Sequence, residues 1–139
     1  MFKRVLTSKD GRMQQPSRAG DGLLAHLKAH MYEAEADATI TVAQLAGGLI
    51  FQGTTLTSDV TYTLPTAALI LAAKDADAMD VGDTISFVVT NSQVGAFDVV
   101  IAVGTGITAK GANNTLSVPP QSSRIFTLVK TSATAMDLY

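Results

Sequence analysis

The sequence predicts a mainly β protein: an antiparallel β-sandwich or jelly-roll-like barrel with one inserted helix, preceded by an N-terminal extended arm and a short helix. Three observations predict it. From residue 38 the chain is a succession of short Thr- and Val-rich runs cut by Gly, Asn, Ser and Pro, the texture of strands joined by turns. Within that region one stretch, TAALILAAKDADAMD (66–80), changes to Ala, Leu and Ile, which favour helix. The opening MFKRVLTSKDGRMQQPSRAG has no sustained apolar period, so it cannot bury enough surface to fold alone.

The elements follow in chain order. Residues 1–21 form the basic arm, with Lys3, Arg4, Lys9, Arg12 and Arg18 against Asp10 and with Pro16 interrupting any regular structure. It is either a dispensable tail or a segment that orders on a partner. Residues 22–36 read as a short helix: Leu23, Leu24, Leu27 and Met31 recur at helical spacing and Asp21 stands where an N-cap is expected. A helix of this length is marginal in isolation, so its apolar stripe needs a surface to lie on. Residues 37–139 form the body. Its strongest strand candidates are ATITVAQL (38–45), GLIFQG (48–53), DVTYTLP (59–65), DTISFVVTN (83–91), AFDVVIAVG (96–104) and SRIFTLVK (123–130). Shorter ones are GITAK (106–110), NTLSV (114–118) and TAMDLY (134–139). In DVTYTLP, Val60, Tyr62 and Leu64 alternate with Thr61 and Thr63. In SRIFTLVK, Ile125, Thr127 and Val129 oppose Phe126 and Leu128, a pattern that fits a strand buried on both faces. Thr66, following Pro65, caps the inserted helix.

Composition narrows the function classes. Charged residues are 16% of the chain, against about 25% in an ordinary domain, so much of the surface is uncharged and suited to burial against other subunits. There is no cysteine, which excludes disulfides, thiolate nucleophiles and cysteine-ligated zinc. No apolar run approaches the ~20 residues of a membrane helix; AALILAA at 67–73 is the longest candidate. The N-terminus lacks the apolar core of a secretory signal, and a soluble protein with no membrane partner is expected. The net charge of −2 conceals an asymmetry: residues 1–30 carry six cations and two carboxylates, residues 31–139 four cations and ten carboxylates. A basic arm on an acidic body can dock on an acidic surface, including that of another copy.

The candidate chemical motifs are weak. His26 and His30 lie four residues apart on the expected helix, near Glu33 and Glu35, a metal-compatible spacing without the intervening Glu of a zincin motif or a fixed third ligand. The acidic run DADAMDVGD (75–83) lacks the ligand offsets of a calcium loop. VGTGITAKG (103–111) has its Lys before the last Gly and continues as β-type sequence, unlike a phosphate-binding loop. No catalytic triad assembles, and no cofactor is expected. Eight aromatics on an acidic body make a nucleic-acid stacking platform a poor fit, so nucleic acid is not expected as the main partner.

From residue 59 onward the chain has a further texture: TYTLPTAALIL, then VGDTISFVVTN, then VVIAVGTGITAKGANNTLSVPPQSSRIFTLVKTSATAMDLY. This succession resembles a module of tailed-bacteriophage structural proteins, among them capsid decoration (cement) proteins and head or tail fibre subunits. The resemblance implies a non-enzymatic virion protein that forms a homotrimer on the outer surface of the capsid and staples neighbouring major capsid proteins. Phe2, Lys3, Arg4, Val5, Leu6, Lys9, Arg12 and Arg18 would then contact the capsid or a neighbouring subunit, and Leu23, Leu24, Leu27 and Met31 would pack the helix. Two other readings stand beside it. A fibre or spike subunit would bind a host surface through loops near 91–96 or 111–114, and a small enzyme or metal-binding domain would use His26 and His30. The lack of a long shaft or repeat favours decoration over fibre.

Overall fold

The computed structural model describes residues 30–32 as backbone, and residues 35–73, 79–111 and 116–139 in full. The described chain is mainly β and forms two facing sheets. The strands are β1 (His30–Tyr32), β2 (Ala38–Thr39), β3 (Leu49–Gln52), β4 (Val60–Thr63), β5 (Thr84–Asn91), β6 (Val99–Ala102), β7 (Ile107–Ala109), β8 (Ser117–Val118), β9 (Ser122–Lys130) and β10 (Met136–Leu138). Two short helices, α1 (Val42–Ala46) and α2 (Ala67–Leu71), lie between them. The larger sheet has the order β1-β3-β5-β9-β10-β7 and the smaller β2-β4-β6-β8.

Up to β9 the chain alternates strictly, one strand in the larger sheet and the next in the smaller. This alternation corrects the expected antiparallel pairing. A connection that arches across to the facing sheet reverses direction, and the next arch reverses it again, so as far as β6 strands two apart in sequence are parallel neighbours. Accordingly β1/β3, β3/β5, β2/β4 and β4/β6 are parallel. The antiparallel pairs are β5/β9, β9/β10 and β6/β8, while β10 and β7 pair in parallel. Both sheets are therefore mixed.

Three local expectations also change. The run 38–45 is a two-residue strand followed by α1, because Thr41 and Gln44 form a reciprocal capping box. The Gln44 amide donates to Thr41 Oγ1 at 3.2 Å and the Thr41 amide to Gln44 Oε1 at 2.8 Å, satisfying two donors that an extended strand would have paired elsewhere. The inserted helix starts where expected, with Thr66 Oγ1 accepting from the Leu69 amide at 3.2 Å, but ends at Leu71 rather than near 80. Residues 30–32, expected as helix, run as a strand beside Ile50–Gln52; the rest of that helix up to residue 29, and the arm, lie outside the described residues.

The core fills the space between the sheets. Ile50, Phe87, Val89, Phe126, Leu128, Met136 and Leu138 face inward from the larger sheet, and Val60, Tyr62, Val99, Ile101 and Val118 from the smaller, all nearly inaccessible. Phe87 and Phe126 are direct register partners and stack with ring centroids 5.5 Å apart. The alternation of Val60, Tyr62 and Leu64 with the half-buried Thr61 and Thr63 is as expected. Strand β9 is not buried on both faces: Phe126 and Leu128 are inside, whereas Ile125 is 71% exposed.

Where α2 leaves the smaller sheet, two backbone segments press together. The Leu64 amide donates to the Ala102 carbonyl at 2.8 Å and the Ala67 amide to that of Thr105 at 2.9 Å. A Cβ on Gly104 would stand 2.5 Å from the Pro65 carbonyl oxygen and 2.6 Å from that of Leu64. Backbone cannot rotate away as a side chain can, so Gly104→Ala should destabilise the fold by about 1–3 kcal/mol, read as a lower Tm in a thermal melt.

Candidate assembly surface

The outer face of the larger sheet follows from strand alternation. With Phe87, Val89, Phe126 and Leu128 directed inward, the intervening Ser86, Val88, Thr90, Ser123, Ile125, Thr127 and Val129 are directed outward. Register then sorts them into rows. Leu49, Val88 and Ile125 are aligned across β3, β5 and β9 as one apolar row. On one side of it lie Phe51, Thr90 and Ser123, on the other Ser86 and Thr127. The hydroxyls of Thr90 and Ser123 share a hydrogen bond of 2.8 Å, and those of Ser86 and Thr127 one of 3.0 Å. None of these positions carries a charge. Among the described residues, charge enters this face only toward the β10–β7 edge, where Asp137 pairs with Lys110 at 3.3 Å.

Three carboxylates gather at one end of the smaller sheet. Asp37, Asp59 and Asp98 immediately precede β2, β4 and β6; because those strands are parallel, their starts lie at the same end. Asp37 Oδ1 accepts from the Thr61 amide at 2.7 Å, Asp59 Oδ1 from the Asp98 amide at 2.8 Å, and Asp98 Oδ2 from the Ser117 hydroxyl. Glu35 accepts from both the hydroxyl and the amide of Thr57. These bonds, the hydroxyl first, hold its carboxyl below the ordinary value, since each stabilises the charged form. Seven carboxylates face only Lys110, Arg124 and Lys130 among the described residues.

At the far end of β5 a set of buried amides closes the sandwich. Asn91 Nδ2 donates to the carbonyls of Phe97 and Val118, each at 3.0 Å, and Gln93 Nε2 to Phe97 at 2.7 Å. Gln52 Nε2 donates to the Tyr62 hydroxyl at 2.7 Å. Asn91 Oδ1 has no hydrogen-bond partner. A polar hollow of about 290 Å³ opens nearby, lined by Thr90, Asn91, Ser92, Gln121, Ser122 and Ser123. A second, apolar groove of about 540 Å³ runs between the two helices and the start of β5, with Val42, Leu45, Ile70, Met79 and Ile85 among its walls.

Of the residues singled out from the sequence, Phe2 to Arg18 of the arm, Leu23, Leu24, Leu27 and His26 lie outside the described residues. Met31 and His30 lie in β1, so the helical spacing that joined His30 to His26 does not hold at His30. Among the described residues no group of three His, Asp or Glu is arranged to hold a metal ion, and no helix is long and apolar enough to cross a membrane. The loop 91–96 contributes Asn91 and Gln93 to the buried amide set; the tip 112–115 lies outside the described residues. Sequence reasoning missed the Leu49–Val88–Ile125 row, whose members sit in three separate runs. The available signal was the absence of Asp, Glu and Lys from both alternation classes of 84–91.

Comparison of the chain with family models, curated proteins and solved structures finds no match.

Two measurements probe these contacts. Asn91→Ala removes the donor to two buried carbonyls and should cost about 1–3 kcal/mol in denaturant unfolding. For Glu35, the lowered folded pKa gives stability that is present above the ordinary carboxyl value of 4.5 and is lost as pH falls through the folded pKa. Thr57→Val should move the Glu35 titration upward in NMR.

Proposed function

We propose that this chain is a virion structural protein: a capsid decoration, or cement, subunit that forms a homotrimer on the outer surface of the shell and staples neighbouring major capsid proteins through its N-terminal arm. One observation carries the reading, the separation of charge. Among the described residues the body keeps its carboxylates, apart from Asp137 in β10, at strand ends and loops and leaves the centre of its larger outer face uncharged, while residues 1–30 hold six of the ten cations. A basic segment next to an acidic, β-rich body suits anchoring on an acidic neighbour. The phage-type succession of motifs from residue 59 supports the same reading.

The mechanism is multivalent. A single arm with five cations in its first 18 residues binds weakly at physiological salt, because exposed ion pairs contribute little individually. Three arms on one trimer engage a shell at high effective concentration, so avidity exceeds any single contact. Phe2, Val5 and Leu6 supply apolar anchors, and the cations orient the arm. The work is mechanical; no substrate, cofactor, membrane or nucleic acid is required.

The test is co-sedimentation of the full chain with capsids assembled from its cognate major capsid protein. Saturable, salt-sensitive binding is expected, reduced at least tenfold when Lys3, Arg4, Lys9, Arg12 and Arg18 are all replaced by Gln. Unchanged binding by that variant removes the arm from the mechanism. Failure of the full chain to bind sinks the decoration reading.

A further inference from the structure

We infer that the outer face of the larger sheet is the surface on which copies of this chain pack against one another, with the Leu49–Val88–Ile125 row at its centre. The inference rests on the assembly reading above and names the surface that reading requires.

Three features select this face and this occupant. The first is position. Ile125 is 71% exposed, yet it sits on β9, which is paired on both sides by β5 and β10. The outer face of a sandwich strand is ordinarily where polar residues stand. Here an isoleucine is held on a rigid platform beside a valine and a leucine that are only partly covered.

The second is charge. Residues 31–139 carry ten carboxylates against four cations, so two bodies that meet through their acidic ends repel one another. A contact centred on the β3–β5–β9 part of this face covers no charged side chain there, and toward the β10–β7 edge it meets only the already paired Asp137 and Lys110. The absence of cations also makes it a poor seat for nucleic acid, whose phosphates need Lys and Arg, and for any partner recognised through charge. An uncharged surface is compatible with its own copy, and a second copy is the occupant it fits.

The third is how readily the face can be covered. Its flanking hydroxyls already bond each other, Thr90 with Ser123 and Ser86 with Thr127, so covering them leaves those bonds in place. At ~3.4 Å per residue and ~4.8 Å per strand, six strands of three to nine residues present a face on the order of 500 Å², which against a second copy reaches the ~1,000 Å² in total that a specific interface needs.

The experiment measures the mass of the full chain by light scattering over a concentration series, for the wild type, Ile125→Asp and Val94→Asp. Val94 is equally exposed, at 74%, but lies in the loop between β5 and β6 and controls for loss of any exposed apolar group. Circular dichroism melts establish that each variant is folded. Because the chain has no cysteine, the thiol introduced by Ile125→Cys can be labelled alone to report coverage in the oligomer.

The wild type and Val94→Asp are expected to be oligomers, with association weakened at least a hundredfold in Ile125→Asp and the introduced thiol protected at high protein concentration. An Ile125→Asp oligomer of unchanged mass, or a thiol labelled equally fast at all concentrations, overturns the face while leaving self-assembly in place. A wild type that is monomeric at every concentration also overturns it, and capsid co-sedimentation then decides the decoration reading separately.

Discussion

Among the described strands, none pairs with its immediate successor until β9 meets β10. Each earlier connection must carry the backbone across the sandwich, and the architecture follows from that constraint. Crossing makes β1, β3 and β5 parallel in one sheet and β2, β4 and β6 parallel in the other. It also gathers the starts of the smaller sheet's parallel strands at one end, with Asp37, Asp59 and Asp98 beside them. The acidic end is thus a product of the winding.

Arched connections have a chemical cost. A hairpin satisfies its own backbone groups, whereas an arch leaves carbonyls turned into the interior, where each needs a donor. Asn91 and Gln93 converge on the Phe97 carbonyl, and Asn91 also reaches Val118. Side-chain amides suit this role because they are neutral and carry two donors. Carboxylates at the same positions would be buried charges without donors. The exposed loops, by contrast, use Asp and Glu to accept from backbone amides that face solvent.

The strands were legible because β-branched runs and turn residues mark them locally: 49–52, 60–63, 84–91 and most of 122–130 fall inside the segments read from the sequence. Partner choice was not legible. A short turn-like connection has the same composition whether it folds back in its own sheet or arches to the other one, and only the tertiary packing distinguishes them. The Thr41–Gln44 capping box was present in the sequence but hidden by the β-like residues around it. The face assignment of Ile125 was ambiguous for a related reason. SRIFTLVK is apolar on both alternation classes, and a strand covered on both sides and a strand with one exposed apolar face share that pattern.

The winding also fixes when the molecule can exist. Strand β5 is complete at Asn91, but its antiparallel neighbour β9 does not begin until Ser122, and the stacked Phe87–Phe126 pair joins the two. During synthesis the larger sheet must wait, with one edge of β5 unpaired, until almost the whole chain has been made. Contacts so distant in sequence are slow to close, and a half-made sheet with an open edge is a surface for unwanted association. The order in which the strands are born therefore sets how long that edge stays open.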